Sequence, residues 1–384
     1  MTEWIECTLD KLGEIVGGAT PSTKCEDYYG GSIPWITPKD LSSFKGRYIT
    51  SGERNITEKG LASCSAQMMP KDAVLFTSRA PIGYVAIASQ SVCTNQGFKS
   101  IVVNEKADPL FVYYLLKYNK DAIEAMGSGT TFKEVSGKTM RAVKVRIPLD
   151  VSYQNRIAAV LDSLDTKIEN NERINDNLHQ QAATLFKALF VDLTPFDGTM
   201  PPNWTISTLG DATEMGAGGD KPKESSPVKT PLCPYPIYSN GINDYGLYGY
   251  TNDPKIKVES VTVSARGTIG YVCLRHTPYV PIVRLVTLIP DTKVLSAKYL
   301  YLYLRQLHIT GTGTTQQQLT VPDFRKTEII IPDKNTMDSF TETVTPLFEQ
   351  IWANEDENTK LAEVRDALLP KLMSGEIDVS SVHL

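Results

Sequence analysis

The chain has 384 residues, of which 41% are hydrophobic and 22% charged, enough apolar content for ordinary globular cores and too much for a chain disordered throughout. At roughly 100–200 residues per domain the length suggests two or three units, and no run of about 18 apolar residues offers a membrane span. The formal charge of −5 looks unsuited to a nucleic-acid binder, yet it is net +2 over residues 1–150, −3 over 151–200, +3 over 201–335 and −7 over 336–384; two mildly basic blocks can sit against phosphates and two acidic ones cannot, although differences this small also suit an unspecialised surface.

The opening MTEWIECTLDKLGEIV lacks a basic segment followed by an apolar one, so a secretory signal is not expected and a cytoplasmic location is. Strand-like runs at Ala73–Thr77, Tyr84–Ala88 and Val143–Ile147, with a short helix at Pro109–Tyr118, fill the first block, 1–150. Pro148 stops a strand, and a long helix is predicted over 151–192. Thr194–Asn203 (TPFDGTMPPN) has the Pro and Gly content of a linker, placed at 193–203. The second block, 204–335, has strand-like runs at Val261–Ser264, Val283–Ile289 and Glu328–Ile331 and a short helix at Ser296–Leu307. Pro332 ends it, a second long helix is predicted over 336–375, and a tail of 376–384 remains. Each block reads as mixed strand and helix, an α+β class. The six cysteines (Cys7, Cys25, Cys64, Cys93, Cys233, Cys273) form no close pair and the four histidines are scattered. The expectation is therefore free thiols in a reducing compartment and no metal site.

The chain repeats itself. Trp4 opens W-x3-TL and Trp204 opens W-x3-TLGDA. Thr77–Val85 (TSRAPIGYV) recurs as Ser264–Val272 (SARGTIGYV), Gly127–Thr131 (GSGTT) as Gly311–Thr315 (GTGTT), and a run ending Ile147-Pro148 as one ending Ile331-Pro332. The matches keep their order, as expected of a duplicated unit.

The long helices carry the most informative copy. Apolar positions step by four and three through Leu161, Leu164, Ile168, Asn171, Asn175 and Leu178, and again through Val344, Leu347, Ile351, Asn354, Asn358 and Leu361, with one constant offset. That is a heptad seam, the pattern of a helix packed along another helix. An asparagine in such a seam needs a hydrogen-bonding partner, and slipped registers that set it against leucine are penalised. The expectation is an antiparallel pair with Asn171/Asn175 near Asn354/Asn358; otherwise each helix packs on its own block and the asparagines are solvated. At about 1.5 Å per residue, helices of roughly 35–40 residues reach about 55–60 Å, a length at which a paired strut would span at most about 17 base pairs of duplex at about 3.4 Å each.

Enzyme signatures fail on inspection. Gly137-Lys138-Thr139 is preceded at position 132 by Phe132, where a phosphate loop needs glycine. No Asn/Asp-Pro-Pro-aromatic loop of an amino-methyltransferase is present. Pro322-Asp323 with Glu328 lacks the lysine of a nuclease triad, Ile330 standing in its place, and neither G-x-S-x-G nor H-E-x-x-H occurs. A binding protein is expected, with no catalytic residue.

The order of globular block, long helix, globular block, long helix resembles the specificity subunits of type I restriction–modification enzymes. The residues that carry the likeness are W-x3-TL…LGEI at 4–15, PWITPKDL at 34–41, FTSRAPIG at 76–83, GSGTTFKEVS at 127–136 and LLPKLMSGEIDV at 368–379, and it spans essentially the whole chain. The resemblance implies two target recognition domains, each reading half of a bipartite DNA site, with paired helices setting the gap between halves. It also implies two modification subunits carrying S-adenosylmethionine, and restriction subunits using ATP and Mg, with no cofactor on this chain. One departure stands out: the second block has no clear copy of PWITPKDL, carrying Tyr235-Pro236-Ile237-Tyr238-Ser239-Asn240-Gly241 instead, so the two halves are expected to read different sequences.

Base edges are read by Arg or Lys on guanine, Asn or Gln on adenine, and Ser or Thr on either, while phosphates take cations and hydroxyls. Candidate DNA contacts in the repeated loops are therefore Thr37, Lys39, Ser78, Arg79 and Lys133 in the first block and Ser239, Asn240, Arg266, Gln316 and Gln317 in the second. Because Arg79 and Arg266 recur in both halves, they are either structural or phosphate-holding. The rival class is a coiled-coil scaffold that joins protein partners without DNA and shows no salt-dependent DNA binding.

Overall fold

The computed structural model describes residues 3–79, 81–129, 133–311 and 317–382. It divides into two compact units: residues 1–173 with 354–384, and residues 174–353. Among the described residues no helix is long and apolar enough to cross a membrane.

Unit one is built on a five-stranded sheet in the order Gly13–Gly17, Lys99–Val103, Val74–Ser78, Ile82–Ala88, Tyr48–Ile49. Val74–Ser78 is buried along its whole length, which is why it reads as a continuous apolar run rather than an alternation. The helix Pro109–Tyr118 lies against this sheet. Asp108 caps it by accepting from the Phe111 amide, Pro109 occupies its first turn, and six consecutive residues from Phe111 to Leu116 are buried. Trp4–Thr8 pairs antiparallel with Lys144–Pro148, Trp4 opposite Pro148.

Unit two repeats that plan. Its four-stranded sheet runs Thr213–Ala217, Val286–Pro290, Ser260–Val263, Val272–Arg275, the order of the first four strands of unit one. Thr205–Thr208 pairs antiparallel with Glu328–Ile331, and Ala297–Gln306 is a helix capped by Ser296, which accepts from the Tyr299 amide. The missing copy of PWITPKDL is replaced in kind. Trp35–Ile36 pairs parallel with Cys93–Thr94, and Ile237–Tyr238 pairs parallel with Val280–Pro281. The repeat is thus kept by backbone pairing where the side chains diverge.

One expectation needs correction, and the linker and long helices gain detail. The strand predicted over Val283–Ile289 begins at Val286, because Val283 and Arg284 hold left-handed backbone (φ 53° and 63°) that cannot extend a ladder. The predicted linker contains a 3-10 turn, Thr194–Phe196, flanked by left-handed Leu193 and Asp197, and Phe196 packs edge-on against Trp204 at 5.1 Å. The long helices run Val151–Phe186, followed by a π turn at Lys187–Val191, and Lys334–Ser374.

Residues 151–173 and 354–374 of these helices belong to unit one, 174–186 and 334–353 to unit two. Within unit one, Leu161 shares a core with Leu368 and Leu372, Asp165 pairs with Arg365 at 2.6 Å, and Asn171 Nδ2 donates to Asn358 Oδ1 at 2.8 Å and to Glu357 Oε2 at 2.7 Å. Ascending positions on one helix meet descending ones on the other. Within unit two the same holds: Asn175 donates to the Ile351 carbonyl at 3.3 Å, His179 lies on Phe348, and Phe186 on Phe340.

Of the seam residues, Leu161, Asn171, Asn175, Val344, Ile351 and Asn354 are buried, while Leu164, Ile168, Leu178, Leu347, Asn358 and Leu361 are half-buried. Asp165, which was not assigned to the seam, is buried in place of Leu164. It accepts from the Tyr114 hydroxyl at 2.7 Å as well as from Arg365. Burial, and then the carboxylate beside it, push the Tyr114 phenol far up. Glu357 moves the other way: the Asn171 amide and then Lys167 hold its carboxyl below the usual range.

Candidate nucleic-acid interface

In unit one the segments between sheet strands converge at one end of the sheet. Ser78 ends Val74–Ser78; its amide donates to the Gly97 carbonyl at 2.7 Å, and its carbonyl accepts from Val135 at 2.9 Å. Gly97 in turn lies under Pro38, so close that a β-carbon would stand 2.8 Å from the Pro38 ring. The loops holding Thr37, Asn95–Gly97, Arg79 and Lys133–Val135 are therefore neighbours.

Cations gather there. Arg79 Nη1 and Lys99 Nζ each lie 3.6 Å from a Glu134 carboxylate oxygen. The Lys133 stem passes near Gly127, Lys99 and Arg141 both approach Gly137, and the Lys120 chain lies directly over Gly83, whose φ of +98° and crowding leave no space for a side chain. Arg79 and Lys99 thus meet Glu134 from separate segments, with Lys120, Lys133 and Arg141 on the neighbouring loops. Such a surface holds polyanion backbone by charge without selecting sequence.

Unit two forms the same frame with different groups. Ala265 occupies the place of Ser78: its carbonyl accepts from Leu319 at 3.0 Å, as that of Ser78 does from Val135. Arg266 then matches Arg79, but its guanidinium donates through Nε and Nη2 to the neutral Gln318 amide oxygen at 3.1 and 2.9 Å, where unit one has Glu134. Gly311 is held against Ile269 and Gln318 as Gly127 is against Ile82 and Lys133, and Gly270 (φ +84°) matches Gly83, with Ile309 rather than lysine above it. The charge on Arg266 is left without an opposing carboxylate in this pairing, so it is the more available for an anion.

The candidate contacts fare unequally. Lys133, Arg266 and Gln317 are exposed and Ser239 half-buried. Lys39 is exposed but paired with Glu53 at 2.7 Å. Thr37 caps the helix Pro38–Ser42, its hydroxyl donating to Asp40 Oδ2 at 2.6 Å. Ser78 is a correction: its side chain is wholly buried and its hydroxyl donates to the Gly97 carbonyl at 3.2 Å, so it cannot reach a duplex. Asn240 is a second: its amide donates to the Val283 carbonyl at 2.6 Å and accepts from the Ala265 amide at 2.7 Å, tying two loops together instead of presenting an adenine-reading edge. Gln316 lies outside the described residues.

The sequence reading passed over Lys99, Lys120 and Arg141, which sit in no repeated motif, and over Gln96 and Arg284. The last two were findable only through the backbone pairing. Asn95–Gly97 follows Cys93–Thr94 as Ile282–Arg284 follows Val280–Pro281, and the Asn95 and Ile282 amides donate to the Ile36 and Tyr238 carbonyls, each at 2.9 Å. The two triplets share no residue.

Comparison with known proteins agrees with this duplicated frame. A family model described as the type I restriction modification DNA specificity domain matches residues 1–180 and 201–363. The type I restriction enzyme MjaIX specificity subunit of Methanocaldococcus jannaschii is 34% identical over 99% of this chain and 95% of its own. The HindI specificity subunit of Haemophilus influenzae is 25% identical over 73% of this chain and 80% of its own. In fold, the chain resembles the crystal structure of a type I restriction–modification S subunit from M. genitalium, with TM-score 0.61 and 17% identity over 97% of this chain and 96% of that one.

Proposed function

The chain belongs to the type I restriction–modification DNA specificity family, and from that premise we propose that each of its two blocks, 1–150 and 204–335, reads one half of a bipartite, asymmetric DNA site. The observation that carries the reading is the loop frame built twice on one sheet plan, with Glu134 and Gln318, Lys133 and Gln317, and Lys120 and Ile309 at matching places. A common frame with unlike side chains is what two readers of unlike sequence require. Exposed Lys133, Lys120 and Arg141, with half-buried Lys99, suit phosphate in the first half; Arg266, Ser239 and Gln317 are the remaining contacts in the second.

The finer architecture belongs to the same proposal: the long helices pair antiparallel as a coiled coil between the two recognition domains. The Asn171–Asn358 bond within unit one and the Asn175–Ile351 bond within unit two support it. As a non-catalytic subunit, the chain assembles with two modification subunits carrying S-adenosylmethionine and with restriction subunits using ATP and Mg. Family membership does not favour the scaffold reading.

The test is methyladenine mapping on DNA exposed to the chain together with its modification subunit. A two-part motif with an unread gap is expected, and binding whose logarithm falls linearly with log salt. Lys133→Ala should weaken binding evenly across sequences, and Gln317→Ala should relax one half only. A complex that binds without salt dependence and methylates no defined sequence would refute the reading.

A further inference from the structure

One feature of unit two has no role in the frame itself. Val283 and Arg284 are consecutive non-glycine residues in the left-handed region, at φ 53° and 63°, and both side chains are exposed. A β-branched residue there is an outlier that persists only where its surroundings over-determine it. They do: the Val283 amide donates to the Gly219 carbonyl and the Arg284 amide to the Gly218 carbonyl, each at 2.9 Å, and the Val283 carbonyl accepts from Asn240 Nδ2. Gly218 lies against this loop so closely that a β-carbon would stand 2.7 Å from the Ile282 amide nitrogen. Asn240 also holds the Ala265 amide, one residue before Arg266. The tip is thus fixed beside the arginine of the candidate interface.

The matching place in unit one is held as firmly and filled differently. There Gly18 lies under the Thr94 and Asn95 carbonyls, Asn95 Oδ1 accepts from the Gly97 amide at 2.8 Å, and exposed Gln96 and buried Gly97 stand where unit two has Val283 and Arg284. A base contact has every reason to differ between halves that read unlike sequence. By that pairing Arg284 stands where unit one has Gly97, so a rigid position that projects arginine outward in one half and carries no side chain in the other has the character of a discriminator. Among the described residues the Arg284 guanidinium meets no carboxylate within ion-pair distance, so its donors are available in the two-pronged arrangement that fits guanine O6 and N7.

We propose that Arg284 is a specificity-determining residue of the second half-site, reading a guanine through its major-groove edge, with the strained turn serving to fix its aim. The inference rests on the DNA-reading function proposed above. The test uses the full chain with its modification subunit, comparing methylated motifs and relative methylation rates for the wild type, Arg284→Gly and Arg284→Lys. Glycine keeps the left-handed backbone, and an unchanged thermal melt would show that it folds. Both variants should lose discrimination at one G·C pair of one half-site by roughly 10–100-fold and leave the other half-site untouched. An unchanged motif overturns the assignment. So does an even loss across all sequences that lysine restores, which would make Arg284 a phosphate contact. A wild-type complex with no defined motif overturns the underlying reading, and the assignment with it.

Discussion

Arg47 offers the sharpest stability test. It precedes the edge strand Tyr48–Ile49 of the unit-one sheet, yet is only 5% exposed, enclosed by the first long helix. Its Nε and Nη2 donate to the two Glu169 oxygens at 3.1 Å each, its Nη2 to Thr166 Oγ1 at 2.8 Å, and its Nη1 to the Asp162 carbonyl at 3.2 Å and to the Asp162 carboxylate. Burial works against the charge, but the Glu169 hydrogen bond and the surrounding anions outweigh it and raise the guanidinium pKa further. Removing one partner of a buried ion pair costs about 3–5 kcal/mol, mostly the penalty of the charges left behind. Glu169 and Asp162 keep 21% and 33% exposure and can partly rehydrate, so Arg47→Met should fall at the lower end, about 3 kcal/mol. At about 2–4 °C per kcal/mol for a domain of this size, that is about 6–12 °C in Tm. The triple variant Arg47→Met, Asp162→Leu, Glu169→Leu should recover most of the loss, because no charge is then left unpaired. Calorimetry of unit-one unfolding in the full chain reads both. An Arg47→Met variant that melts within a degree of the wild type, or a triple variant no better than the single, would refute the account.

The seam gives a second contrast: Asn171→Ala strips partners from Asn358 and Glu357 and should cost about 1–3 kcal/mol, whereas Asn171→Leu with Asn358→Leu should be close to neutral; equal losses in urea unfolding would count against a paired asparagine. Glu357 has a folded pKa below its ordinary value of 4.5, so its stabilisation is fully present above that value and is lost as pH falls through the lowered one. Asn171→Leu should therefore shift the Glu357 titration upward by carbon-detected NMR, and an unmoved titration would reject the contact. Gly83→Ala must place a side chain at φ +98° and within 2.5 Å of the Lys120 Cγ; it should destabilise by about 1–3 kcal/mol and displace Lys120, and an unchanged melt would argue against that crowding.

How much of this was legible in the sequence depended on which force decided each place. Pro109–Tyr118 could be read to the residue because a proline at the first turn, an aspartate cap and an unbroken apolar run all agree. The seam was legible in its period but not in its rotation. A straight helix drifts by roughly 20° per heptad from a strict 3.5-residue repeat. By that drift the buried line in unit two passes to Phe186 and Phe190 while Leu185 faces outward; in unit one Asp165 is buried for another reason, its contacts with Tyr114 and Arg365. No hydrophobicity scale assigns an aspartate to a core. It is tolerated because Arg365 and Tyr114, remote in sequence, supply its hydrogen bonds. The interface shows the same division. The arginines were visible because they recur in matching motifs. Ser78 recurs in none of its chemistry: a buried alanine, Ala265, stands in its place, so the position requires only a small residue, and its hydroxyl was a misleading signal. Asn240 was misread for the opposite reason. Its amide has the groups that read adenine, but they are spent on holding Val283 in a conformation that valine rarely adopts. The residue that sequence logic nominated as the reader is thereby a positioning residue, and the exposed side chain it helps to fix, Arg284, sits where the sequence predicted an ordinary strand.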